Sequence, residues 1–185
     1  IGQFCIVADR GMISADTIKQ LEEPTRDVKY ILGARMRRVN EIKHEVLSRA
    51  GRFKEVVAEG STTKDPDPLK VKEVMVGSNR YIVCLNPKQA RKDKADRDAI
   101  VESLEDRIKS GPKSMIGNKG YRRYLKVSKN SVFIDKEKIE AEARFDGKWV
   151  LKTNTDLPSD KIALKYKELW QVEHLFRDMK SILET

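Results

Sequence analysis

Cysteine is scarce in this 185-residue sequence. Cys5 and Cys84 are the only two, each set in an apolar run, with no Cys-x2-Cys pair and no companion histidine. That excludes a disulfide framework and gives no support to a zinc site, so a reducing compartment is expected. Long hydrophobic runs are missing too. Nothing approaches the roughly 18–20 consecutive apolar residues of a membrane helix, and no basic start leads into the apolar middle of a signal peptide. A soluble, cytoplasmic protein with no membrane partner is expected. There is no internal repeat and no low-complexity tract. His44 and His174 have no companions in a pattern that suggests acid–base catalysis, and both read as structural.

What is abundant is charge. Hydrophobic residues make up 39% of the chain and charged ones 36%, enough apolar material for one domain, or one domain with a sizeable insertion. Lysine and arginine number 38 against 29 acids, a net charge of +9, which favours a polyanion such as nucleic acid or a membrane surface as partner. The chain opens on Ile1 and runs directly into apolar residues, so a fragment of a longer polypeptide is expected.

Phe4-Cys5-Ile6-Val7-Ala8, stopped by Asp9-Arg10-Gly11, has the pattern of a strand buried on both faces, with Asp9 at its C-terminal end. Ser14 suits the N-cap of a helix over about 15–23, which Pro24 ends, and 28–33 reads as the next strand. This β-α-β order predicts a mostly parallel α/β core. A helix is expected over 35–50, opened by the cluster Arg35, Arg37 and Arg38, which reads as a solvated face or as an added nucleic-acid contact. Residues 60–68 are turn formers without an apolar side chain and mark a boundary. Beyond it come a hairpin, 71–76 and 80–85 about Gly77-Ser78-Asn79, and a charged helix over 87–110 with Ile100, Leu104 and Ile108 on one face. Residues 111–130 hold six Lys or Arg and no acid, with Tyr121 and Tyr124 among them. That composition suits either a solvated basic face or phosphate contact with base stacking. Residues 139–145 and 149–153 flank Asp146-Gly147 as a second hairpin, and Pro158-Ser159 introduces a final helix to about 183.

At 100° per residue, Leu169, Val172, Phe176, Met179 and Leu183 form one apolar stripe of that helix. Tyr166, Glu173 and Lys180 recur at steps of seven along its edge. On the wheel alone Glu173 and Lys180 are either ordinary boundary residues or charges held at the rim of a site.

Val7-Ala8-Asp9-Arg10-Gly11-Met12 and Tyr166-x2-Leu169-Trp170-x-Val172-Glu173-x2-Phe176-Arg177-x2-Lys180 resemble the second and third acidic motifs of DDE transposases of bacterial insertion sequences. Asn118 to Tyr124 and Phe145 to Asn154 are also similar to a branch of that family, so the resemblance covers nearly the whole chain. It implies an α/β fold: a partial RNase H-like core, 1–60 and 145–185, interrupted by a mixed α+β insertion over 61–144. It implies Asp9 and Glu173 as carboxylates holding Mg²⁺ or Mn²⁺, two ions in the complete enzyme, for cleavage and strand transfer at the ends of the element. DNA would be the partner, with a homodimer synapsing two ends in the bacterial nucleoid. The alternative is a non-catalytic DNA-binding remnant of a decayed or domesticated transposase.

The family signature, Tyr-x2-Arg-x3-Glu-x6-Lys, is matched by Tyr166, Glu173 and Lys180, whereas its Arg position is Leu169 here and Arg177 is the candidate substitute. Tyr166 and Lys180 lie about 10 Å along a helix on either side of Glu173, in reach of phosphates. Lys119, Arg122 and Arg123 are further candidate DNA contacts, and Trp149 either stacks on an extruded base or belongs to the core. The family's first Asp has no counterpart among the eight residues before Asp9. The 185-residue piece is therefore expected to bind metal poorly and not to cleave DNA alone.

Overall fold

A computed structural model describes residues 4–12, 14–23, 28–57, 69–110, 123–128, 131–169 and 179. They fall into two compact units, one made of residues 1–85 and 148–185, the other of 86–147.

The first unit is built on six strands: β1 (Cys5–Ala8), β2 (Lys29–Ala34), β3 (Lys54–Val56), β4 (Leu69–Val76), β5 (Asn79–Leu85) and β8 (Lys148–Thr153). They form one sheet in the order β1-β2-β8-β5-β4-β3. Helix α1 (Ala15–Leu21) joins β1 to β2, and Ser14 caps it by accepting from the backbone N–H of Thr17 at 3.1 Å. The β-α-β unit is as expected, but the sheet is not mostly parallel: only β1 and β2 run parallel, and the pairs β2/β8, β8/β5, β5/β4 and β4/β3 are all antiparallel. The reason is local. β4 and β5 are joined by a two-residue turn, whose Gly77 takes a φ of 55°, and so short a connection can only reverse the chain.

Alternation along β2 divides the core. Ile31 points to one face and joins Ile82, Cys84 and Leu151 beneath Ile162 and Ala163 of the closing helix, residues 159–169. Tyr30 and Leu32 point to the other face and meet Ile18 and Leu21 of α1. Where both faces are covered, β2 reads as a continuous apolar run. β1 does not share this burial: Cys5 and Ile6 are exposed, because among the described residues β1 pairs on one side only. Met179, expected on the buried stripe, is 48% exposed.

The helix expected over 35–50 is replaced by a turn at 36–38 and a short π-helical stretch, Ile42–Val46, in which the N–H of Leu47 reaches back to the carbonyl of Ile42. Ile42 and Val46 are buried, so the apolar positions are satisfied with a wider winding.

The second unit holds α2 (Pro87–Ser110), a hairpin of β6 (Leu125–Ser128) and β7 (Ser131–Ile134), and α3 (Lys136–Ala143). Asn86 starts α2 by accepting from the N–H groups of Lys88 and Gln89, ahead of Pro87, a residue suited to a first helical position. Ile100, Leu104 and Ile108 pack with Tyr124, Leu125, Ile134 and Ile139. The insertion is expected over 61–144; β4 and β5 pair into the main sheet, and the second compact unit runs from 86 to 147. Residues 139–145 are not the expected strand: Asp135 accepts from the N–H of Lys138 at 3.0 Å and starts a helix in a stretch of Lys, Glu and Ala.

Candidate active site

At the end of β1 the chain reverses sharply, the N–H of Met12 donating to the carbonyl of Asp9 at 3.0 Å. Asp9 is thereby fixed at a strand terminus, half-buried. The closing helix, anchored through Ile162 and Ala163, brings Tyr166 onto it: the Tyr166 hydroxyl donates to Asp9 Oδ1 at 2.5 Å. The two residues are 157 positions apart, and both belong to the motifs the sequence singled out.

The contact depends on Gly33, in the neighbouring strand β2. A Cβ there would overlap the Tyr166 hydroxyl and stand 2.9 Å from the Arg10 nitrogen and 3.2 Å from Asp9 Oδ1. Any other side chain would push the pair apart. Sequence reasoning missed Gly33, although a lone glycine inside an apolar strand run signals close approach of another group.

Burial pushes the Asp9 carboxyl up, but the Tyr166 hydroxyl, the backbone N–H groups of Arg10 and Gly11 and the Arg10 charge outweigh it, leaving it below the usual aspartate range. Asp9 is thus held as a carboxylate. A half-exposed, ionised oxygen donor on a rigid mount has the hard character that Mg²⁺ and Mn²⁺ prefer, so Asp9 fits one ligand of such an ion. Among the described residues no group of three His, Cys, Asp or Glu could hold a metal ion.

A family model described as Transposase DDE domain matches residues 4–184. The chain belongs to that family. No curated protein and no solved structure matches it. Membership makes DNA the substrate class and divalent metal the usual cofactor of such enzymes. No helix among the described residues is long and apolar enough to cross a membrane.

The structure thus brings together Asp9 and Tyr166 of the sequence-derived site. Glu173, Arg177, Lys180, Lys119 and Arg122 lie outside the described residues. Leu169, at the signature's Arg position, is half-buried. Arg123 pairs with Glu142 and stacks its guanidinium 5.3 Å from the Tyr124 ring. Trp149, half-buried, packs against the Ile82–Leu151 core, and its indole N–H is buried with no hydrogen-bond partner among the described residues.

Proposed function

We propose that the chain is the catalytic region of a DNA transposase that cleaves phosphodiesters at the ends of its element and joins them to target DNA, on a partial RNase H-like core. The observation that supports this best is the hydrogen bond from Tyr166 to Asp9, made over Gly33. It joins the first and last motifs of the chain at one carboxylate.

Asp9 and Glu173 are assigned as metal ligands. Bound divalent ions would stabilise the charge that develops on the attacking and leaving oxygens of an in-line displacement. The chain's own groups do the positioning. Tyr166 and the N–H groups of Arg10 and Gly11 orient the Asp9 carboxylate and keep it ionised. By the seven-residue repeat, Glu173 follows Tyr166 on the same helix edge, and Lys180 follows Glu173 in reach of a phosphate. Lys119, Arg122, Arg123 and Arg177 are assigned to the DNA backbone, and a homodimer to the synapsed pair of ends.

Asp9→Asn and Glu173→Gln in the full-length protein test the assignment. Each should abolish strand cleavage and transfer while duplexes bearing the element ends are still bound. Cleavage at wild-type rate by either variant would remove that carboxylate from the chemistry.

A further inference from the structure

Two tight turns face each other beside Asp9. The first is the reversal at residues 9–12. The second follows β2: the N–H groups of Arg38 and Val39 both return to the Arg35 carbonyl at 3.0 Å, and that of Met36 to Ala34 at 3.0 Å. Met36, 5% exposed, is the apolar floor that holds this second turn against the body of the unit. Arg35 ties the turns together, its Nε donating to the Arg10 carbonyl at 3.1 Å. Between them lies a cavity of about 280 Å³ lined by Arg10, Gly11, Arg35, Met36, Arg37 and Arg38. Its charged lining is entirely cationic.

Arg10, Arg35 and Arg38 are exposed, and no carboxylate among the described residues forms an ion pair with any of them. Like charges crowded into one concavity repel one another. An anion placed between them would remove that repulsion. The guanidinium fork matches a phosphate oxygen pair with two parallel N–H bonds, and the turns are already fixed, so little freedom is lost on binding. The volume, at the low end for small-molecule pockets, suits a phosphodiester group and not a whole polypeptide side.

We infer that this arginine cavity is a docking site for one phosphodiester of the DNA strand that enters the Asp9 site. The inference rests on the transposase reading and adds to it a fixed register: Arg10 adjoins Asp9 in sequence, so the phosphate held here lies on the strand presented to the carboxylate. Two or three arginines neutralising the backbone should also account for part of the salt dependence of binding.

The test is the slope of log K against log salt for a duplex bearing an element end, measured with full-length protein in an Asp9→Asn background so that no cleavage intervenes. Replacing Arg35 and Arg38 together by Gln should lower the slope by about 0.9, for the one phosphate charge no longer neutralised, and weaken binding of specific and unrelated duplexes alike. Replacing both by Lys should retain the slope while lowering affinity, because the charge stays and the fork is lost. An unchanged slope in the Gln pair would overturn the inference, as would equal behaviour of the Gln and Lys pairs, which would mean that the turns had merely been disturbed. Inorganic phosphate and anionic vesicles serve as separate probes. Phosphate competing at millimolar concentration with wild type but not with the Gln pair supports the site, and vesicle binding that outlasts competing duplex overturns its assignment to DNA. If the parent Asp9→Asn protein still cleaves DNA at the wild-type rate, the assignment of Asp9 to the chemistry fails whatever the slopes show. If it is inactive and the slopes do not move, only this site fails.

Discussion

Arg97 of the second unit and the arginines beside Asp9 are treated in opposite ways. In the second unit Arg97 is bound through both terminal nitrogens to Asp146, at 2.5 and 2.7 Å, with its side chain 8% exposed. This cation has its anion inside the same unit. At the β1/β2 end, Arg10, Arg35 and Arg38 stand exposed around one cavity, none of them in an ion pair with a described carboxylate, although the Arg10 charge acts on Asp9. The difference separates two uses of one residue type. A guanidinium neutralised within the chain serves the fold, whereas several grouped without anions leave their attraction for a ligand. Net charge alone would not distinguish the two, since both groups count equally toward +9.

The comparison is broken most directly at Arg97. Its replacement by Ala leaves Asp146 in a largely buried place without its partner, and should destabilise the second unit by about 3 kcal/mol. Denaturant unfolding followed by a probe in that unit reads the effect. A loss below about 1 kcal/mol would show that the pair is not what holds those elements together. Next comes Gly33→Ala, where the new methyl group collides with the Tyr166 hydroxyl and with the backbone of Arg10. Overpacking of this kind should cost about 1–3 kcal/mol, and cleavage by the full-length protein should fall with it because Tyr166 must leave Asp9. A variant with unaltered melting and activity would show that the two turns yield freely.

Tyr166→Phe should have a smaller effect on stability, about 1 kcal/mol for one hydrogen bond to a carboxylate. Its sharper readout is pH. Asp9 titrates below its unfolded value in the wild type, so its contribution is present above the ordinary aspartate range and is lost as pH falls through the folded pKa. Removing the hydroxyl raises that pKa. The stability gap between variant and wild type should therefore be widest at neutral pH and shrink on acidification, and the acid limb of cleavage should move to higher pH. A gap that stays constant from neutral pH down through the aspartate range would mean that Tyr166 acts by packing alone.

Much of this was legible from local pattern. The strand ending at Asp9, the Ser14 cap, the Gly77 turn and the stripe of Ile100, Leu104 and Ile108 depend on neighbours within a few residues, and each was recovered. Failures came where local pattern was ambiguous or distant pairing decided. Ile139-Glu140-Ala141-Glu142-Ala143-Arg144-Phe145 alternates apolar and charged residues with a period of two, yet its cap and its helix-forming composition prevailed. Pairing of β8 with both β2 and β5 has no signature in any one segment, so the antiparallel sheet was hidden. Of the site, Asp9 and Tyr166 were legible through the resemblance of their motifs to those of the transposase family. Gly33 was passed over because its role lies in what it lacks.

The smallest expected effect is also the most telling. Arg38→Ala should alter stability by no more than about 0.5 kcal/mol, since the side chain is exposed and forms no ion pair with a described carboxylate. It could even stabilise the fold slightly by relieving repulsion from Arg10 and Arg35. Melting of Arg38→Ala and Arg97→Ala, measured side by side at low and high salt, turns the comparison into a sign. Salt screens the exposed arginines from one another far more than it weakens a buried pair, so any gain from removing Arg38 should fade as salt rises while the loss from removing Arg97 persists. A loss at Arg38 as large as that at Arg97 would mean that the cationic cluster is part of the scaffold, and that its guanidinium groups are already committed before any phosphate arrives.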